Sequence, residues 1–324
     1  MGGGDEGKAM RERKQPSYLA LLESGELDRR IDALYELLSP CRLCPRECGV
    51  DRLRDERGFC RTGLNPVVSS YGPHFGEESP LVGYGGSGTI FLTHCNLACL
   101  YCQNYEISQL GEGREVSIED LADMMLHLQR MGCHNINFVT PTHVVPQIVK
   151  AVKVAAERGL KVPLVYNCGG YESVRTLRLL EGIFDIYMPD FKYSDDKVAE
   201  ELSRAPGYFE VAKSALKEMH RQVGDLVIDD RGIAVKGLLV RHLVLPNGLA
   251  GTEKVMKFIA EEISKNTYVN VMAQYRPCHK AFSHPLLSRP ITSSEYREAV
   301  EIALKCGLER LDHLVAPRRR FILF

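Results

Sequence analysis

Apolar and polar positions along the chain alternate in a pattern that predicts strand-then-helix units. Residues 89–93 form a short apolar run that predicts a buried strand. After it, Ser117-Ile-Glu-Asp120 has the form of a capping box, and Leu121, Met124, Met125 and Leu128 follow at helical spacing. The same reading predicts further strands over 136–139, 162–166, 184–188, 238–245 and 268–274. Helices are predicted over 146–158, 172–180, 195–222, 252–264 and 294–305. Six strand-then-helix units in succession predict an α/β fold with a parallel sheet. Ahead of them, Leu19, Leu22, Leu27, Ile31, Leu34, Leu37 and Leu38 recur at helical spacing, with Ser24-Gly25 as a break and Pro40 as the end.

Composition narrows the class only a little. The chain has 324 residues, 44% hydrophobic and 26% charged, enough for a large core. Its net charge of −1 gives no reason to expect a nucleic-acid or membrane-surface partner. The start, Met-Gly-Gly-Gly-Asp-Glu, lacks a signal-peptide apolar region, and Glu6 stands where a myristoylation signal needs Ser or Thr. The expectation is a cytoplasmic protein with a mobile tail over the first fifteen or so residues.

The eleven cysteines change the picture, because most of them are clustered. Cys95-Asn-Leu-Ala-Cys99-Leu-Tyr-Cys102 places three thiols within eight residues, directly after the first strand of the repeating units. Soft thiolates at this spacing suit an iron–sulfur cluster or zinc. Three ligands on a four-iron cluster leave one iron open to a small molecule. A second group, Cys41, Cys44, Cys48 and Cys60, lies in a loop-rich segment with few apolar residues, so a metal is expected to stabilise it. Structural zinc and a second cluster both fit that spacing. Arg42, Arg46, Arg52, Arg54 and Arg57 are expected to offset its thiolates. Gly83-Tyr-Gly85-Gly-Ser-Gly88 matches a dinucleotide fingerprint in letters only: a strand follows it where that fingerprint needs a helix.

The three-cysteine motif, with Tyr101 before its last cysteine, resembles the signature of the radical S-adenosylmethionine (radical SAM) enzymes. The wider run from Gly88 to Asn104 is similar to the pyruvate formate-lyase activating enzyme branch, and within it to the PflX-like group. The resemblance implies a partial (β/α)6 barrel over residues 81–324, behind a Cys-rich N-terminal extension over 1–80. It implies a [4Fe-4S] cluster on Cys95, Cys99 and Cys102, with S-adenosylmethionine on its open iron. It also implies flavodoxin or ferredoxin as electron donor and a glycyl-radical protein as substrate. The residues themselves leave open a radical SAM enzyme with a different substrate, and a non-enzymatic zinc protein.

Polar residues punctuate the ends of the predicted strands, which in a barrel would gather at one face. They are Thr140-Pro-Thr142-His143, Asn167-Cys-Gly-Gly170, Pro189-Asp190-Phe-Lys192, Arg241-His242 and Gln274-Tyr-Arg276. Asp190 and Lys192 share one face of a strand at i, i+2. By resemblance, Tyr101, Asn167, Asp190, Lys192 and Arg241 are cofactor-binding, and Asn167, Cys168, Met188 and Asp190 lie where activases hold a small cation. Where activases carry a Gly-Gly-Glu run for the cofactor's amino group, this chain has Thr140-Pro-Thr142-His143. His94 is read as a tuner of the cluster or a space-filler. Cys278, His279 and His284 form a minor candidate metal site, and Cys133 and Cys306 are read as core thiols.

Overall fold

The computed structural model describes residues 15–312, so the expected N-terminal tail over residues 1–14 lies outside the described residues. Six strands run parallel: β2 (Ser87–Leu92), β4 (Ile136–Val139), β5 (Leu164–Cys168), β6 (Ile186–Pro189), β8 (Ala234–Leu243) and β9 (Tyr268–Met272). They pair in chain order, as a (β/α)6 half-barrel requires. Three antiparallel strands were not foreseen. β1 (Val67–His74) pairs with β2, β3 (Arg114–Glu115) with β1, and β7 (Val227–Ile228) with β8.

The register sorts side chains onto two faces. Ile90, Phe138, Tyr166 and Tyr187 belong to the large core shared with the outer helices. Val165, Ile186, Met188, Leu239 and Tyr268 form a separate inner cluster. α4 (Ile118–Arg130) starts at the expected capping box, Ser117 accepting from the Asp120 amide while Asp120 accepts from the Ser117 amide. α5 (Val145–Glu157) packs beside it. The strand expected from residue 162 starts at Leu164, after Pro163, which has no N–H to give a sheet. The N-terminal helices α1 (Ser17–Glu23) and α2 (Glu26–Glu36) break at Gly25, whose φ is +70°, and Tyr18 is bonded to the Val162 carbonyl.

The connection from β1 to β2 is a strap across the half-barrel. It contains the short helix α3 (Ser79–Val82), whose Leu81 enters the inner cluster. Asn135 donates to the Leu81 carbonyl at 2.9 Å, and Asn270 on β9 donates to Glu78 at 2.9 Å, so the strap touches both sides of the sheet. Its glycines serve close approach: a Cβ on Gly85 would stand 1.9 Å from the Gly132 carbonyl oxygen. That accounts for the glycine run without a nucleotide.

Candidate active site

The three-thiol loop follows β2 directly. Each sulfur has at least one hydrogen-bonding neighbour. The Leu97 amide donates to Cys95 at 3.3 Å, the Ser203 hydroxyl donates to Cys99 at 3.0 Å, and Ser108 stands 3.2 Å from Cys102. Tyr101 is buried behind this loop rather than in the charged network below; its hydroxyl meets Tyr193, which in turn meets Ser203. A chain of hydroxyls thus ends on the Cys99 sulfur. Burial pushes the Cys95 and Cys102 thiols up, and neighbouring Cys99 adds to it. Hydrogen bonds act against this, from the Leu97 amide at Cys95 and from Ser108 and the Asn104 amide at Cys102, and the Lys192 charge adds to them at both sulfurs.

Four of the residues expected from the strand ends come together. Arg241 donates to Asp190 at 2.8 Å and to Asn167 at 2.6 Å, and Lys192 donates to Asp190 at 2.6 Å. The register explains this: Asp190 bridges to Arg241, and Asn167 is level with Met188 two residues earlier. Burial disfavours the Asp190 carboxylate, but Arg241 and Lys192 together hold it below the usual range. Lys192 also lies within electrostatic reach of the loop thiols, which links the network to the cysteines.

Other expectations separate. Cys168 belongs to the outer core, whereas Met188 belongs to the inner cluster, so these two side chains stand on opposite faces. Thr142 donates to Glu172 at 2.6 Å, and the His143 ring meets the Thr93 carbonyl at 2.8 Å; both residues are buried. Thr140 takes a left-handed backbone, φ +63°, and donates its amide to the Asn167 carbonyl. His94, also left-handed at φ +73°, is partly buried beside Cys95. His279 stacks on Tyr105 and His284 meets Glu201, so the last-loop histidines have separate partners. Cys133 is a core thiol, as expected, and Cys306 is partly buried at the end of the last helix.

The four-cysteine segment lies against the first loop. Phe59, Cys60 and Arg61 share with Cys95 and Leu97 the wall of a cavity of about 440 Å³. Arg46 stacks on Phe59 at 3.6 Å and donates to the Asn96 carbonyl at 3.0 Å, within electrostatic reach of Cys44, Cys48 and Cys95. Three of the other arginines have partners away from the thiols. Arg52 is buried and donates to the Gly63 and His143 carbonyls, while Arg54 and Arg57 pair with Asp51 and Asp55. Among the described residues no set of three or more His, Cys, Asp or Glu side chains converges as a ready single-ion site. A four-iron cluster asks for less convergence, because each thiolate meets a different iron. The three-thiol loop fits such a cluster by donor chemistry, by a donor or hydroxyl at every sulfur, and by Lys192 nearby.

Two sets of site residues escaped the sequence reading. Glu77 and Glu78 precede α3 in the strap and reach Arg241, and Glu172 is buried between Thr142 and Tyr166. The Glu77-Glu78 pair was visible as adjacent acids, but no periodicity placed the strap inside the barrel.

A family model described as the radical SAM superfamily matches residues 89–229, spanning the cysteine loop and the Asp190 strand. The chain is 34% identical over 293 residues to "Uncharacterized protein MJ0674" of Methanocaldococcus jannaschii, covering 87% of this chain and 80% of the relative. It is 25% identical to "Uncharacterized protein MJ0808" of the same organism, covering 83% and 79%. Among solved structures, methylornithine synthase (PylB) aligns at TM-score 0.46 and 14% identity over 89% of this chain and 72% of that one. AdoMet-bound anSMEcpe aligns at TM-score 0.45 and 12% identity, over 66% and 57%. Scores below 0.5 speak only to a loose likeness. With its matched core and its extended similarity to a relative, this chain belongs to the radical SAM superfamily.

Proposed function

We propose that this radical SAM enzyme abstracts hydrogen from a glycyl-radical protein, taking its electron from flavodoxin or ferredoxin. The observation that carries the enzymatic part is the Arg241–Asp190–Lys192 network, within electrostatic reach of the three thiols. Cys95, Cys99 and Cys102 would hold the [4Fe-4S] cluster. With S-adenosylmethionine bound, the pair would supply one-electron reductive cleavage of the sulfonium carbon–sulfur bond. The chain's own residues position and shield. Lys192 and Arg241 offer charge-assisted donors to a carboxylate. Asn167 fixes one Arg241 nitrogen, and Asp190 holds both cations in place. The inner cluster of Val165, Ile186, Met188 and Leu239 keeps water from the lower barrel.

The glycyl-radical part rests on the resemblance of residues 88–104 to the activases. Its test is electron paramagnetic resonance on reduced, S-adenosylmethionine-loaded enzyme mixed anaerobically with a glycyl-radical protein of the pyruvate formate-lyase type. A persistent glycyl doublet is expected. Cleavage without a doublet would instead favour the second reading, another substrate, which the replaced Gly-Gly-Glu run and the four-cysteine segment support.

A further inference from the structure

The strap brings two carboxylates to the network that no part of the reading above employs. Glu77 Oε2 stands 3.7 Å from Arg241 Nη1, and Glu78 Oε1 stands 4.0 Å from Arg241 Nε. Asn270 fixes Glu78 Oε1, while Glu78 Oε2 is buried without a partner. Asn137 is wholly buried, and neither of its side-chain polar atoms has a partner. Its register with Val165 puts it on the inner face, toward the space the strap closes. Buried polar groups are ordinarily bonded, so Glu78 Oε2 is left to accept from a bound donor, and Asn137 offers a further unpaired amide on the inner face.

The charges agree. Asp190, Glu77 and Glu78 are three acids against two cations, Lys192 and Arg241, so not every carboxylate has a cation to itself. Burial and the adjacent Glu78 push Glu77 up to about 7, with Arg241 acting against them. An α-amino acid carries ammonium and carboxylate on one carbon, so its partners must stand side by side. Arg241 beside Glu77 and Glu78 is such a pair.

The alternatives are spoken for. Thr142 gives its hydroxyl to Glu172, and the His143 ring meets Thr93. Glu172 has its two oxygens bonded to Thr142 and Tyr166, the latter on the outer face.

We propose that Glu77 and Glu78 accept from the amino group of S-adenosylmethionine while Arg241 meets its carboxylate, so that the strap does here what the Gly-Gly-Glu run does in the activases. The proposal rests on the radical SAM reading and assigns one subsite within it.

The test is equilibrium dialysis of S-adenosylmethionine against anaerobically reconstituted protein: wild type, Glu77→Gln, Glu78→Gln and the double variant. Iron content and the absorption spectrum are recorded on each sample. 5′-Methylthioadenosine, which lacks both the amino and carboxylate groups, serves as the second ligand. The expected result is at least tenfold weaker S-adenosylmethionine binding by the double variant, with 5′-methylthioadenosine binding and iron unchanged. Should the double variant lose iron, Glu77→Gln carries the test, since it leaves the Glu78–Asn270 bond in place. Undiminished S-adenosylmethionine binding, or an equal loss of both ligands, would overturn the proposal while leaving the radical SAM reading intact. Absence of binding by the iron-loaded wild type would overturn both.

Discussion

Single residues tune this site through buried hydrogen bonds. Ser203 donates to Cys99 and is itself held by Tyr193. A hydrogen bond to a cluster thiolate favours the reduced, more negative state. Removing one worth about 1 kcal/mol lowers a one-electron potential by about 40 mV. Ser203→Ala should therefore show a drop of that order in redox titration followed by absorption, with iron content unchanged. Glu172 makes a different prediction. Burial raises its carboxyl to about 7, against which its donors Thr142, Tyr166 and Cys168 act only in part. The folded state then binds more protons than the unfolded one between about pH 4.5 and 7. Its contribution is complete below the unfolded value and is lost as pH rises through 7. The stability difference between wild type and Glu172→Gln should shift by about 3 kcal/mol against wild type from pH 4 to pH 8 in urea titrations. A pH-independent difference would mean that Glu172 ionises normally. At this scale the sequence was only partly legible. Spacing identified Cys95, Cys99 and Cys102 as a set, but could not show that Tyr101 faces Tyr193 or that Arg52 serves carbonyls.

The elements show where periodicity suffices. The six parallel strands and the helices after them were readable because apolar runs and capping signals recur at regular intervals, as at Ser117 and 136–139. The strap was not readable. Residues 75–86 are short and rich in Gly, and their one deep anchor, Leu81, has no periodic neighbours. β3 and β7 have two residues each, too few for any alternation. Leu81 is nonetheless central to the strap, since it joins Val165, Ile186 and Tyr268 in the inner cluster. Leu81→Ala should cost about 2–5 kcal/mol in denaturant unfolding, as buried leucine truncations do. A loss below 1 kcal/mol would show that the strap is not anchored there.

Over the whole molecule, convergence is what the sequence conveyed least directly. Asn167, Asp190 and Arg241 lie on three strands, and only a parallel register brings their tips together. That register was inferable once six strand-then-helix units had been recognised, which is why Asn167, Asp190, Lys192 and Arg241 could be singled out as strand-end residues that meet. The strap crosses the barrel from outside that repeat, so Glu77 and Glu78 were not. The four-cysteine segment joins the same end of the molecule, with Cys60 and Cys95 on one cavity wall and Arg46 between the two loops. No helix among the described residues is long and apolar enough to cross a membrane.

The most direct test of the whole account is the yield of 5′-deoxyadenosine and methionine from S-adenosylmethionine. It should be measured on anaerobically reconstituted protein after addition of dithionite, with a Cys95→Ala, Cys99→Ala, Cys102→Ala triple variant alongside. Both products are expected from wild type, and neither from the triple variant, which should keep its circular dichroism spectrum. Product from the triple variant, or none from iron-loaded wild type, would contradict the assignment of this loop as the catalytic centre.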